Sequence, residues 1–361
     1  MAARIPALGF ALITLATLLA ADDEPPPALD SAPHPKGYVC CRAARPVVID
    51  GKPEATWDDA PWTEPFVDIE GDKKPAPRFQ TRVKMLWDDE ALYILAELED
   101  PDVWGTLKDH DSIIFHDNDF EVFLDPDGDN HDYGELEVNA LNTTWDLFLT
   151  RPYKDAGKPL TAWEITGLKT GVQVNGTLNQ PGDKDRGWTL ETRWPFSGIA
   201  ELAKLNLPPH DGDQWRINFS RVQWPHDVVE GKYRKNAKAK EDNWVWSPQG
   251  AIDMHRPERW GYLQFSTAAP GKATFRADPD WPTRDLLHRV YYAERVHFKE
   301  KGKYTSEVGA LKLQGVAVPL SDPVQLETTA NGFEAFLKRP GERGAKPRRY
   351  SITHDAHLRV E

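Results

Sequence analysis

Acidic residues recur at every second position in one short segment. Asp125, Asp127 and Asp129 lie in DPDGDNHDYG, whose Pro, Gly, Asp and Asn residues are typical of a tight turn. In such a turn several carboxylate oxygens can converge on a hard cation such as calcium. An EF-hand loop would carry Gly at its sixth position and Glu at its twelfth, where this chain has Asn130 and Leu136. The sequence excludes an EF-hand and leaves two interpretations, a looser calcium site and a solvated acidic turn.

Three further polar residues flank this turn. Glu121 precedes it, and Glu137 and Asn139 follow it, each alternating with apolar neighbours. Side chains of this kind can hydrogen-bond sugar hydroxyls, and a carboxylate pair can perform acid–base chemistry on a glycosidic bond. A third interpretation is an ordinary polar face of a sheet, and the sequence leaves all three open.

The elements that hold these residues are predicted to be β-strands. Apolar residues at every second position on both sides of the turn predict an antiparallel hairpin. Similar short segments, rich in Val, Leu, Trp and Phe, recur with turn residues between them, so we predict an all-β, two-sheet antiparallel β-sandwich over residues 38–266. One helix, Ser197–Leu205, is predicted between Pro195 and Pro208. The sequence contains no Gly-rich phosphate loop, which argues against a nucleotide-binding sheet.

The sequence changes character after Ser266. A connector rich in Pro, Ala and Gly occupies 267–281, and Arg284–Lys299 then shows apolar residues at helical spacing. Asn331-Gly332 is a strong signal for a two-residue hairpin turn. We therefore predict a small α+β C-terminal appendage over residues 282–361.

The N-terminal segment has the features of a secretory signal. Residues 1–21 hold one cation, a short apolar run and two terminal Ala residues, and an acidic, Pro-rich linker follows at 22–37. The apolar run is short for a membrane span, so we predict cleavage, a secreted or periplasmic protein and no membrane span in the mature chain. The alternative is an uncleaved N-terminal anchor.

The net charge of the chain limits the classes of molecule that it can bind. The formal net charge of −13 argues against nucleic acid or an anionic membrane as the main partner, because both select basic surfaces.

The two cysteines, Cys40 and Cys41, are adjacent, and a bond between them would be far from ordinary disulfide geometry. We expect no disulfide framework and predict two packing thiols, with a redox-active pair as the alternative.

The chain contains 14 tryptophans, more than packing alone usually uses. Indole faces stack on pyranose rings, so exposed tryptophans in a groove form a sugar site. Trp104 lies in a loop between Pro and Gly, and Trp244 and Trp246, beside Asn243, follow a basic loop. These positions favour at least partial exposure of the three rings.

A series of segments resembles the carbohydrate-binding module family 9 type of domain found in exported bacterial proteins. The resemblance covers residues 38–266, and its segments, in order, are VVIDGKPEATWDDAPW, VKMLWDDEALYILAELEDPDVWG, DNDFEVFLDPDGDNHDYGELEVNALNTTWDLFL, GWTLETRWPF, WRINFSRVQW and NWVWSPQG. It implies a two-sheet β-sandwich with bound calcium and a shallow site in which two tryptophans clamp a saccharide. By position, Trp104 and Trp246 are the implied clamp, with Asn243 as the polar neighbour.

These observations predict a secreted, non-catalytic carbohydrate-binding protein that stacks a saccharide on exposed tryptophans. One alternative is a polysaccharide-degrading glycoside hydrolase, or an accessory to one, which would use Glu121 and Glu137. No segment outside the predicted sandwich is large enough for a glycosidase barrel. A further alternative is an envelope domain whose acidic face or C-terminal appendage binds a protein.

Overall fold

A computed structural model describes residues 34–313, 323–340 and 346–361. The predicted signal peptide and most of the predicted linker lie outside this part. Across the described residues the protein is mostly β, as predicted, with one α-helix. The helix α1 is Trp281–Lys301, and the strands are β1 Gly37–Arg42, β2 Val67–Asp68, β3 Thr81–Trp87, β4 Ala91–Leu98, β5 Asp119–Asp125, β6 Tyr133–Asn139, β7 Thr144–Leu149, β8 Pro159–Leu160, β9 Lys169–Asn175, β10 Gly187–Pro195, β11 Gln214–Gln223, β12 His226–Val229, β13 Lys232–Lys235, β14 Asp242–Val245, β15 Gly261–Ser266, β16 Gln325–Thr328, β17 Phe333–Arg339, β18 Arg348–Thr353 and β19 Leu358–Val360.

The large sheet is continuous, whereas the sequence predicted two separate sheets. Its 13 strands include the path β8-β7-β6-β5-β11-β15-β1-β3-β4-β10-β9, and β14 and β2 branch from β11. Strand β1 joins the two halves, because Gly37–Cys41 pairs with β15 and Cys41–Arg42 pairs with β3, both in parallel. Apolar alternation identifies strands but not their hydrogen-bonded neighbours, so the link through β1 could not be read from the sequence.

The main core lies between the two halves of this sheet. Val83 and Ile94 from β3 and β4 share one buried apolar cluster with Val122 and Phe219 from β5 and β11. Because side chains from both halves meet in one core, the sheet curls back on itself. Burial removes their apolar surface from water, which stabilises the fold by about 25 cal/mol per Å².

The predicted helix at Ser197–Leu205 is not an α-helix. Two short 3₁₀ turns, Phe196–Gly198 and Ala200–Leu202, occupy this segment. Ile199 between them has φ −117° and ψ 12°, which interrupts helical hydrogen bonding. The prolines that bound the segment indicated a helix, but they leave too few residues for a stable one.

The C-terminal residues pair an α-helix with a small sheet. Helix α1 contains the predicted Arg284–Lys299 and ends at Gly302, whose φ of 70° suits glycine. Strands β16 to β19 form a four-stranded sheet, and β16 and β17 form the hairpin expected around Asn331-Gly332. Leu287, Val290 and the sheet residues share a second buried cluster. The boundaries of separate domains stay a prediction.

Helix α1 also packs against the large sheet's loops. Asp155 accepts hydrogen bonds from Tyr291 and Arg295, and Tyr292 donates to Glu258 over 2.6 Å. Among the residues that the structure describes, no helix is both long enough and apolar enough to cross a lipid bilayer.

The two cysteines are free and buried, as the packing interpretation predicted. Cys40 is 0% exposed and Cys41 is 3% exposed. Burial raises the pKa of the Cys40 thiol well above its ordinary value, which disfavours the reactive thiolate.

Candidate functional site

Strands β5 and β6 form the predicted hairpin, and one of its faces is acidic. Residues such as Phe120 point into the main core, so their alternating neighbours point to the opposite face. There Glu121 stands opposite Glu137, and Asp119 stands opposite Asn139. The carboxylates of Asp119, Glu121 and Glu137 each have an oxygen within 4.8 Å of the others. We call these three residues the acidic cluster.

The acidic cluster is shielded from water. Asp119 is 0% exposed, Glu121 6% and Glu137 2%. Burial raises the pKa of Glu121 to about 7. Burial, followed by the negative charge of Glu121, raises the pKa values of Asp119 and Glu137 well above their ordinary range. In the absence of a compensating positive charge, burial favours the protonated form of these carboxyl groups.

Three aromatic residues border the acidic cluster, and we call them the aromatic rim: Phe115, Trp145 and Trp224. The backbone N–H of Phe115 donates to Glu137 Oε2 over 2.9 Å. Trp224 Nε1 donates to the Phe115 carbonyl over 2.7 Å, and the rings of Phe115 and Trp145 lie 6.3 Å apart. Phe115 and Trp224 are half-buried.

Two polar side chains accompany the rim. The Lys235 ammonium lies 3.6 Å from the centre of the Trp224 ring and donates to the His116 carbonyl over 3.1 Å. His116 is exposed beside the Phe115 ring, at 4.7 Å between centroids. The rim therefore combines aromatic faces with groups that can donate hydrogen bonds.

Sequence reasoning missed the rim. Phe115 lies just before β5 and Trp224 just after β11, and antiparallel pairing of β5 with β11 places these two ends together. The usable signal was an aromatic residue next to the end of each strand. It identifies a site only when the pairing of β5 with β11 is known, and those strands are far apart in sequence.

The two tryptophans of the predicted clamp are buried, so the exposure predicted for them is wrong. Trp246 is 0% exposed and packs against Phe219, with 6.0 Å between ring centroids. Its indole occupies space that opens only because residue 261 is Gly, where an added Cβ would lie 2.2 Å from the ring. Trp104 is 2% exposed, with its ring 6.4 Å from His226 of the β12–β13 hairpin. Core packing and this hairpin, rather than a groove, surround the two rings.

Trp244 and Asn243, the neighbours of the predicted clamp, differ in burial. Trp244 is 3% exposed, which contradicts its predicted exposure, and it packs on Phe79 and under the Arg221 guanidinium, 5.2 Å from its ring. Asn243 alternates with it and is half-buried, and its carbonyl accepts the Ile69 N–H over 3.0 Å. Strand alternation explains the difference, since adjacent residues point to opposite faces.

The side chain of Asn139 is occupied by the protein itself. Its Nδ2 donates to the Leu107 carbonyl and to Asp117 Oδ2, over 2.9 and 3.1 Å. Its Oδ1 accepts the N–H groups of Leu141 and Thr143, over 3.0 and 3.1 Å. Asn139 therefore organises the turn after β6, because a side-chain amide next to a tight turn can satisfy its backbone groups.

The acidic turn brings its three carboxylates together. Oxygens of Asp125, Asp127 and Asp129 lie within 4.8 Å of one another. Asp125 accepts the N–H groups of Gly128 and Asn130, over 2.9 and 3.0 Å, which shapes the turn. Burial and the charge of Asp129 raise the pKa of Asp127 to about 6. This all-oxygen donor set fits a hard cation, and calcium binding stays a prediction.

The C-terminal sheet holds the acidic turn in place. His357 Nε2 lies 3.0 Å from Asp129 Oδ2, and the Leu358 N–H donates to the Asp129 carbonyl over 3.0 Å. The rings of His131 and His357 stack at 4.3 Å. The appendage thus contacts the turn directly.

Comparison with known proteins supports the resemblance found in the sequence. Residues 49–207 match the family model described as "Carbohydrate family 9 binding domain-like". A relative from Arthroderma benhamiae named "Extracellular protein" is 27% identical over 158 residues, which span 42% of this chain and 66% of the relative. The chain therefore matches just under two thirds of that relative's length.

Two solved structures are similar to this chain at low sequence identity. A carbohydrate binding module family 9 from Caldicellulosiruptor kristjanssonii, in complex with cellotriose, has a TM-score of 0.42 and 17% identity, and covers 68% of this chain and 100% of its own. A putative carbohydrate-binding protein from Bacteroides uniformis has a TM-score of 0.48 and 15% identity, and covers 64% of this chain and 100% of its own.

Proposed function

We propose that this protein, whose residues 49–207 form a carbohydrate family 9 binding domain-like region, binds a carbohydrate without cleaving it. The match to that family model is the observation that carries the proposal. Nucleic acid remains disfavoured as a partner because the net charge is −13.

The aromatic rim is the proposed sugar site. Phe115 and Trp224 are half-buried, and a partly open aromatic ring can stack against the apolar face of a pyranose. The Trp145 Nε1 is buried and has no hydrogen-bond partner within the described residues. Lys235 and His116 add donors at the same edge. The rim thus replaces the buried Trp104 and Trp246 as the proposed stacking surface.

The carboxylates near the rim favour binding over hydrolysis. A glycosidase needs one ionised and one protonated carboxyl group on either side of the scissile bond, about 5–9.5 Å apart. Glu121 and Glu137 are direct cross-strand neighbours, at most 6% exposed, and burial raises the pKa of both. A pair in one shielded cluster cannot flank a substrate.

We also propose export and a calcium-stabilised turn. The segment 1–21 has the composition of a signal peptide, and the Arthroderma relative is named an extracellular protein. Extracellular calcium is abundant enough to occupy sites of modest affinity, and Asp125, Asp127 and Asp129 present convergent oxygens. The ion would hold the turn against the charge repulsion among these carboxylates.

Isothermal titration with glucose, cellobiose, xylobiose, soluble β-glucan, xylan and mannan tests the proposed site. We expect at least one ligand to bind, and Trp224→Ala to weaken its affinity about five- to tenfold, since one lost stacking contact is worth roughly 1–1.5 kcal/mol. Trp62→Ala is the matched control, because Trp62 is also half-buried but packs against a different apolar cluster from that of Phe115 and Trp145. An absence of binding across the panel by the folded protein would contradict the function, and equal losses in both variants would contradict the site.

A further inference from the structure

We propose that His110, Asp111, Asp146 and Glu164 bind a divalent transition-metal ion of the zinc type. Each of the four residues offers one ligand atom, and these atoms all lie within 4.8 Å of one another. We call these residues the histidine cluster. It shares no residue with the acidic turn or with the acidic cluster, and metal binding there does not depend on the proposed sugar function.

Three segments that are far apart in the chain bring the four ligands together. The loop between β4 and β5 supplies His110 and Asp111, β7 supplies Asp146, and the loop between β8 and β9 supplies Glu164. The N–H of Asp111 donates to the Thr144 carbonyl over 3.1 Å, which ties the first loop to the start of β7. The N–H of Ile165 donates to Asp146 Oδ2 over 2.6 Å, which ties the second loop to the same strand. Hydrogen bonds within the protein therefore position the site.

The imidazole of His110 is oriented as metal-binding histidines are. Its Nδ1 lies 3.0 Å from both the carbonyl and the hydroxyl oxygen of Thr144. A carbonyl oxygen only accepts, so this contact is a hydrogen bond when Nδ1 carries the proton. Donation of one ring N–H to a backbone carbonyl is the usual way in which a protein orients a metal-binding histidine. The other nitrogen, Nε2, then has a free lone pair in the neutral ring.

The Nε2 atom of His110 faces carboxylate oxygens. It lies 3.0 Å from Glu164 Oε1 and 3.4 Å from Asp111 Oδ1. A lone pair beside two carboxylate oxygens requires a cation between them, which is either a proton on the ring or a metal ion. Among the residues that the structure describes, His110 is the one basic side chain that forms ion pairs with these acids. A divalent ion would neutralise more of their charge than a proton does.

The distances and the ligand types favour zinc over calcium. Zn²⁺ binds N and O ligands at about 2.0–2.2 Å, so two ligands of a tetrahedral site lie roughly 3.3–3.6 Å apart. The separations of 3.0 and 3.4 Å from His110 Nε2 are close to this range, and the exposed carboxylates of Asp111 and Glu164 can adjust. An imidazole nitrogen among four ligands suits zinc, whereas calcium takes about six to eight oxygen ligands.

A buried oxygen of Asp146 is the second observation that indicates a ligand here. Asp146 is 1% exposed and stands opposite Leu136 of β6, which belongs to the main core. Its Oδ2 accepts the Ile165 N–H, whereas its Oδ1 is buried and has no hydrogen-bond partner within the described part of the chain. A buried acceptor without a partner is costly, so an ion bound to Asp146 would satisfy it. The exposed side of the cluster gives the ion a path from solvent.

Titration of zinc into the protein tests the proposal. Isothermal titration with ZnCl₂ is compared for wild type and His110→Gln, both EDTA-treated, dialysed and free of any affinity tag. We expect His110→Gln to bind one zinc ion fewer than wild type. His210→Gln is the matched control, because His210 is also exposed but has a single carboxylate nearby, Asp213 at 3.5 Å. It should bind as many zinc ions as wild type, and an unchanged count in His110→Gln would overturn the proposal.

Asp146→Asn separates a four-ligand site from a surface pair of His110 and a carboxylate. We expect this variant to bind zinc at the cluster at least about tenfold more weakly than wild type, because it loses the buried charged ligand. Wild-type affinity in Asp146→Asn would contradict the assignment of Asp146. Melting curves in EDTA show whether each variant is folded.

Cobalt reports the coordination of the same site without relying on a variant. Co²⁺ in a tetrahedral site absorbs visible light far more strongly than in an octahedral one. We expect these bands in the wild-type protein, and we expect Zn²⁺ to remove them while a large excess of Ca²⁺ does not. Removal by Ca²⁺ would overturn the zinc-type assignment.

A zinc-soaked crystal of the wild-type protein locates the ion directly. An anomalous difference peak at the zinc edge, among the four residues of the histidine cluster, would support the site. Well-ordered side chains at these positions without a peak would overturn it. Neither result depends on whether the protein binds a sugar.

Discussion

Glu121 and Glu137 stand directly opposite each other on β5 and β6, and both are almost completely buried. Like charges at facing positions destabilise a sheet, and a low-dielectric environment increases their repulsion. This pair is therefore tolerated only when protonated or when a cation lies between its members. Glu137 also accepts the N–H of Phe115, so the charge state of this carboxylate bears on the proposed sugar site.

Substitution of Trp246 should destabilise the fold rather than remove a sugar contact selectively. The side chain is 0% exposed, and large-to-small changes of buried aromatic residues cost about 3–5 kcal/mol. We expect Trp246→Ala to lower the free energy of unfolding by this amount in urea titrations. Trp62→Ala, at a half-buried site, should cost clearly less. Wild-type stability of Trp246→Ala would show that the indole is not part of the core.

Calcium removal should lower the melting temperature through the acidic turn. We expect EDTA to destabilise the wild-type protein, since it leaves three convergent carboxylates without a cation. Asp127→Ala should remove the part of this sensitivity that the turn contributes, and Glu121→Gln should leave that part intact. Differential scanning calorimetry with and without EDTA measures both. A melt of Asp127→Ala as sensitive to EDTA as the wild-type melt would refute calcium binding at the turn.

Acid should weaken the contact between α1 and the acidic turn through His288. Its Nε2 lies 3.0 Å from Asn130 Nδ2, and burial lowers its pKa to about 4. The unfolded chain therefore takes up a proton near pH 6.5 that the folded protein refuses until about pH 4, so stability is lost as pH falls through this window. We expect a loss of at most about 3 kcal/mol between pH 7 and pH 4, measured by urea unfolding. His288→Gln should show a smaller loss, and an equal loss would exclude His288 as its source.

Asp155 should be essential for attaching α1. Its carboxylate accepts hydrogen bonds from Tyr291 and from Arg295, the latter at 2.9 Å, and its side chain is 0% exposed. Removing one partner of a buried charged network typically costs about 3–5 kcal/mol. We expect Asp155→Ala to lower unfolding stability by this order and to increase hydrogen exchange in α1. Asp89→Ala, whose ion pair with Arg42 is on the surface, should cost less than about 1 kcal/mol. Unchanged exchange in α1 would contradict this role.

The sequence by itself determined the local elements and the resemblance to a known family. Period-two alternation predicted the β5–β6 hairpin, Asp spacing predicted the convergence of Asp125, Asp127 and Asp129, and 3.6-residue periodicity predicted the helix that became α1. The order of short segments also predicted a resemblance to carbohydrate-binding module family 9, and residues 49–207 match the model described as "Carbohydrate family 9 binding domain-like". These features depend on neighbours in the chain, so local patterns carry them.

Tertiary structure alone decided which residues face water and which strands are neighbours. Trp104 and Trp246 lie next to loop residues in the sequence, yet both are buried. The β12–β13 hairpin packs near Trp104, and the Trp246 ring fills the space beside Gly261. Phe115 and Trp224 are 109 positions apart and meet only because β5 pairs with β11. The strand β1 joins both halves of the sheet through hydrogen bonds that no apolar pattern encodes. Exposure and pairing are properties of long-range packing, in which the burial of one side chain depends on residues far along the chain.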